Sequence, residues 1–178
     1  MAYAILPINS WQDIDFPIIV RTTGVGIPTL ETLVTGITAP QWQVGDTNQC
    51  EGQELIHGWK EGSEFQWHVH IVTNGTEATD KYVKFEVDWV YADVHGQLSE
   101  LQKSTSVDLL IPKNTPDRTH LIFEIERVTI PAHIGCHIWA KLTRVASTGA
   151  APTANPFCSM LQIHVQCDTV GSKQISQK

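Results

Sequence analysis

The sequence predicts an all-β fold, an antiparallel β-sandwich that is jelly-roll-like and carries an extended N-terminal arm. Three observations lead there. Apolar and polar residues alternate at period two in several segments, as in strands that bury one face. Turn-forming residues separate these segments. No window of about 12 residues or more carries a 3.6-residue period, and the best helical candidate, Thr29 to Val34, is short.

Taken in order, residues 1–50 read as the arm. Trp11-Gln-Asp-Ile-Asp-Phe-Pro-Ile-Ile-Val20 is extended with a Pro inside it. Gly24, Gly26 and Pro28 break the chain, and Gly36, Pro40 and Gly45 break it again. Charge is sparse, so the segment is expected to lie along a body or a neighbouring subunit. Residues 51–178 read as the sandwich. Between Glu64 and Thr73, Phe65, Trp67, Val69 and Ile71 alternate with Gln66, His68 and His70. Between Tyr82 and Tyr91, Val83, Phe85, Val87 and Trp89 alternate with Lys84, Glu86 and Asp88. Ser104 to Ile111, Thr119 to Ile130 and Cys136 to Val145 are rich in β-branched and aromatic residues. Leu161, Ile163, Val165 and Cys167 then alternate with Gln162, His164, Gln166 and Asp168. Turn signals fall at Asn74-Gly75, His95-Gly96, Pro112 to Pro116, Pro131 to Gly135 and Gly149 to Pro156. The polar faces of these strands collect His68, His70, Lys84, Glu86, Asp88, His164, Gln166 and Asp168.

Composition bounds the function. The chain has 178 residues, 42% hydrophobic and 17% charged, which suits one domain with its own core. A net charge of −7 argues against direct nucleic-acid binding and against an anionic membrane surface. No stretch approaches a membrane span, and the first ten residues lack the pattern of a signal peptide. Cys50, Cys136, Cys158 and Cys167 form no CxxC pair, so reduced thiols in a cytoplasm are expected rather than a zinc knuckle.

The most tempting chemical motif is His68-Val-His70. Two histidines at i and i+2 on a strand point the same way and can share a metal. The spacing is like the first half of a cupin motif, but Glu77 lies too far along to complete it. Pro131, Gly135 and His137 do not match the second half. A cupin-like metal enzyme using His68 and His70 is therefore an alternative, with His164 a further weak metal candidate. The principal expectation is no metal, no cofactor and no catalytic residue, with the histidines on a polar face or interface, where a cluster near carboxylates would respond to pH. Glu124/Glu126 and Glu86/Asp88 are i, i+2 carboxylate pairs, more often solvated than catalytic. There is no nucleophile elbow and no phosphate loop. Asn74-Gly75-Thr76 fits a glycosylation sequon but reads as a turn. Of the six Trp, Trp67, Trp89 and Trp139 are assigned to strands. Trp11, Phe16, Trp42 and Trp59, with His68 and His70, are the expected interface residues. Exposed Trp rings that stack on sugars give a second alternative, a carbohydrate-binding appendage.

Several blocks resemble a family of tailed-phage structural proteins. They are Leu55-Ile-His-Gly-Trp-Lys-Glu-Gly62-Ser-Glu-Phe-Gln-Trp-His68-Val-His70, Trp11-Gln-Asp-Ile-Asp-Phe-Pro17, Val83-Lys-Phe-Glu-Val-Asp-Trp-Val-Tyr91 and Ile163-His-Val-Gln-Cys-Asp-Thr-Val-Gly171-Ser172. Gln66-Trp67 stands where the pattern has a Pro before the first His. The resemblance implies a non-enzymatic virion component, assembled in the host cytoplasm: a capsid decoration (cement) protein, or a head or tail appendage. It implies the major capsid protein or another virion protein as partner, and a homo-oligomer, by analogy a trimer. It brings no catalytic residue.

Overall fold

The computed structural model describes residues 10–19 and 25–168. Among them are twelve strands and no helix: β1 (Ser10–Phe16), β2 (Thr29–Val34), β3 (Ile37–Gln41), β4 (Thr47–Gln49), β5 (Gln53–Glu54), β6 (Phe65–Val72), β7 (Lys81–Ala92), β8 (Gln102–Thr105), β9 (Leu109–Ile111), β10 (His120–Val128), β11 (His137–Val145) and β12 (Phe157–Cys167). Every pairing is antiparallel.

Two sheets face each other. The first runs β10-β6-β12-β3-β2, with β1 also on β12. The second runs β4-β11-β7-β8, with β5 on β11 and β9 on β7. β1 and β3 share one flank of β12, β4 and β5 one flank of β11, and β8 and β9 one flank of β7. With β2 set aside as an extension beyond β3, eight strand positions result. Numbered along the chain, they lie in the order 1-8-3-6 in the first sheet and 2-7-4-5 in the second. This is the double-sheet jelly roll.

Period-two alternation places the core. On β6, Phe65, Trp67, Val69 and Ile71 are fully buried while the residues between them are only half-buried. β7 repeats the pattern with Val83, Phe85, Val87 and Trp89. Between the sheets Trp67 packs on Phe16, Phe65 and Trp89, with ring centroids 5.0, 5.8 and 6.0 Å apart. Tilted and edge-on pairs of this kind add about 0.5–1.5 kcal/mol each beyond the area they bury. Trp42 meets Phe85 edge-on at 6.5 Å. At that end of the sandwich Arg144 turns inward from β11 and is buried. It donates to the Trp42 carbonyl and, at 2.8 Å, to Asn155 Oδ1. Burial pushes its pKa down to about 10, opposed by the attraction of Asp46.

The expected division at residue 50 is corrected. Residues 10–16 are not an arm: β1 pairs with β12 from Ser10↔Cys167 to Phe16↔Leu161. Ile14 and Phe16 enter the core, alternating with outward Asp13 and Asp15. Ile18 bridges Cys50, and Thr47–Gln49 pairs with β11. The physical reason is that Ile14, Phe16 and Trp42 are large apolar groups that the sandwich itself can cover, and all three are buried. Thr29–Val34, the short helical candidate, is a strand. It forms the β2–β3 ribbon, in which β2, among the described residues, pairs with β3 alone and β3 reaches the body through Gln41↔Phe157.

The expected strand over Ser104 to Ile111 is two strands. Ser106 interrupts it, its backbone N–H donating to the Phe85 carbonyl at 3.0 Å while its hydroxyl accepts from Phe85 N–H at 3.1 Å. The four cysteines are free and buried. Burial raises all three thiols at Cys50, Cys136 and Cys158, the first two to about 12, so they behave as small apolar groups.

If β1 is part of the body, Phe16→Ala removes a core ring. It is expected to cost about 3–5 kcal/mol of unfolding free energy. Urea denaturation followed by Trp fluorescence measures this, and a tethered arm would register almost nothing.

Candidate functional site

Burying Phe65, Trp67, Val69 and Ile71 forces the alternate residues of β6 to the outside of the first sheet. Register does the rest. His68 stands opposite Glu124 on one side and Gln162 on the other, and His70 stands opposite Ile122 and Met160. His164 and Asp13 are directly paired, as are Gln162 and Asp15. The outer face of β10-β6-β12-β1 therefore carries a polar strip, broken beside His70 by Ile122 and Met160.

The strip is hydrogen-bonded along its length. Gln162 donates its amide N–H to Asp15, so its oxygen is free to accept, and His68 Nε2 donates to it at 2.8 Å. His164 Nδ1 donates to Asp13 Oδ1 at 2.6 Å, and Asp13 also lies 3.9 Å from His68 Nε2. Trp11 stacks flat on His164, with centroids 4.9 Å apart and planes 3° apart. His70 Nδ1 and His120 Nε2 approach to 2.8 Å. One of these two nitrogens must carry the shared proton and the other must be bare, so the pair cannot keep this contact with both rings protonated. His70 Nε2 is buried and makes no hydrogen bond. Glu124 completes the strip, clamped by Arg127 through two bonds of 3.0 Å that hold its carboxyl below the usual range.

The structure brings His68, His70 and His164 onto one face, with ring centroids of His68 5.3 Å from His70 and 6.2 Å from His164. It puts all three outside the sandwich. This corrects the cupin-like alternative, which needs them in an oily interior that aromatic side chains fill instead. No group of three or more His, Cys, Asp or Glu among the described residues is arranged to hold a metal.

The interface residues divide. Trp11 is 45% exposed and His68 and His70 are half-buried on the outer face, whereas Phe16, Trp42 and Trp59 are fully buried in the chain's own core. These last three are corrected: a partner cannot reach them. Lys84, Glu86 and Asp88 lie on the opposite sheet from the histidines, so Glu86 and Asp88 do not face them either. Asp88 accepts from Lys141 at 2.6 Å and Glu86 from Lys103 at 2.6 Å, which makes this carboxylate pair an ion-paired surface row. A β-bulge separates Glu124 from Glu126. Of the Asp168 to Ser172 block, residues 169–172 lie outside the described residues.

Sequence reasoning missed Asp13, Asp15 and His120. The signal for the first two was present in the alternation Asp13-Ile14-Asp15-Phe16, but the segment was read as an arm. For His120 there was none, because its partner is set by the β10–β6 register.

No family model matches the chain, and no curated protein matches it. Among solved structures, one of infectious bursal disease virus, Gx strain, is similar with a TM-score of 0.39 and 8% identity, covering 96% of this chain and 33% of that one. The chain thus spans about a third of that viral chain's length. A family 35 carbohydrate binding module from Clostridium thermocellum is similar with a TM-score of 0.35 and 14% identity, covering 89% of this chain and 97% of that one.

The strip predicts a pH effect. His70 titrates below a free imidazole, first because burial disfavours the cation, then because His68 and His120 repel it, with Gln162 and Asp13 acting the other way. A folded state that resists the proton keeps its full stability above the unfolded value of 6.5 and loses it as pH falls below that. Glu124 and Asp88, lowered from 4.5 and 3.8, lose their contributions only in more acid solution. His133, raised by Asp93, works in the opposite direction above 6.5 and is exposed. Urea unfolding at about pH 7.5 and 5.5 should therefore show lower stability at the acid value, with a smaller drop in His70→Gln.

Proposed function

We propose that this protein is a non-enzymatic structural component of a phage virion. In this reading it is a capsid decoration (cement) protein that binds the head lattice as an oligomer, a trimer by symmetry analogy. The site is assembled with its host-made particle and works by contact, not by turnover.

The observation that carries the reading is the β2–β3 ribbon. A two-stranded ribbon is marginal by itself in water. This one nevertheless exposes Leu30 by 45%, Val34 by 47% and Ile37 by 57%. Among the described residues its far strand has no second neighbour, so it offers an open backbone edge as well as apolar side chains. Such an element gains stability from a surface that covers it. The packed interior supports the same reading, because the aromatic core leaves its chemistry-bearing residues on outer faces. The phage-like blocks support it from the sequence side.

Light scattering tests the first half. A mass near three times 19.8 kDa for the purified chain is expected, falling to 19.8 kDa or losing capsid binding when Leu30, Val34 and Ile37 are all changed to Ser. Cosedimentation with phage heads stripped of decoration tests the second half. A monomer that ignores such heads and is missing from purified particles would sink the proposal.

A further inference from the structure

We propose that the outer face of the second sheet holds a site for a neutral saccharide, with Trp139 as the platform on which a sugar ring stacks. The inference does not depend on the virion reading and would stand without it.

Trp139 points outward near the start of β11 and is 42% exposed, although the other aromatic residues of the sandwich strands are mostly buried. It does not stand proud. It forms one side of a depression of about 200 Å³ that Gln49, Asp88, Val90, Leu101 and Lys141 complete. Register explains the set: Trp139 lies opposite Val90 on β7, and Lys141 lies between Asp88 on β7 and Gln49 on β4.

The indole is also held in place. The His137 ring packs on it with centroids 4.3 Å apart. Behind both rings runs Gly52, where a Cβ would fall 2.8 Å from the Trp139 indole and closer still to His137. Only glycine lets that backbone pass so near. A ring fixed in this way loses little freedom when a ligand covers it.

The polar groups suit a polyol. Asp88 accepts from Lys141 at 2.6 Å through Oδ2 and lies 3.4 Å from Lys103 Nζ through Oδ1, so two ammonium groups hold the carboxylate beside the indole. Hydroxyls bonded to carboxylate and ammonium groups form the stronger, charge-assisted class. The C–H face of a pyranose, slightly positive, meets the negative face of the indole. Charge balances locally, with Glu86 and Asp88 against Lys103 and Lys141, so the site favours an uncharged sugar over an acidic one. A flat protein partner would have to desolvate these four charges without supplying a hydroxyl for each.

The test uses the full chain. A glycan array is screened first, and saturation-transfer NMR then measures N-acetylglucosamine and the methyl glycosides of glucose, galactose and mannose at about 10 mM. Binding of at least one neutral saccharide is expected. Trp139→Ala should weaken it about tenfold or more, which is about 1.4 kcal/mol, and Trp139→Phe should restore part of it. Gln49→Ala, at an exposed rim position, should weaken it about threefold. Trp11→Ala, on the opposite sheet, should leave it unchanged. No binding by any probe would overturn the proposal, as would binding that Trp139→Ala and Gln49→Ala both leave intact. A Trp139→Ala variant that instead loses oligomeric mass would assign the ring to a protein contact.

Discussion

The structure depends on the aromatic contact between the two sheets. Trp67 sits where Phe16, Phe65 and Trp89 converge, so strands from both sheets and from the start of the chain meet on one indole. A strand offers its side chains alternately to two faces. Once Phe65, Trp67, Val69 and Ile71 are inside, His68 and His70 have no choice but to face out. The same rule acting on β7 and β11 sends Asp88, Trp139 and Lys141 to the other exterior. Both outer surfaces follow from one packing arrangement, and a one-residue slip of β6 would bury two imidazoles and expose Trp67.

Most of the fold was legible because period two is a local signal. The strands at Phe65–Val72, Lys81–Ala92, His120–Val128 and His137–Val145 fall within a few residues of where alternation put them. The strands before residue 50 escape this signal because they are short, separated by Gly and Pro, and in β1 and β4 partnered by residues more than ninety positions away. Asp13 and His164 form a 2.6 Å contact across 151 residues of chain. Nothing near Asp13 announces that partner. The same holds for His70 and His120, whose contact follows from strand register alone. Sequence identified the histidines as outward-facing and could not say which carboxylates would join them, so Glu86 and Asp88 were grouped with groups on the wrong sheet. Alternation places Trp139 on a strand, and its exposure follows from the face it takes there.

The two exteriors are chemically different. The first carries a chain of imidazoles and carboxylates whose hydrogen bonds fix where each proton sits, an arrangement suited to a contact that responds to acid. The second mixes a pinned aromatic ring with balanced charges. A jelly roll separates such surfaces by the thickness of its core, so each can engage without disturbing the other. The β2–β3 ribbon belongs to neither face and extends from the edge of the first sheet.

The placement of β12 has a consequence for how the molecule is made. This last strand lies inside the first sheet, with β6 on one flank and β1 and β3 on the other. Until the ribosome has released residues 157–167, β1 has no partner and the inward side of β6 lacks its neighbour. Domains of this kind, dominated by distant pairings, close slowly. The nascent chain therefore carries exposed strand edges until residues 157–167 emerge, the condition under which chaperone capture or self-association competes with folding.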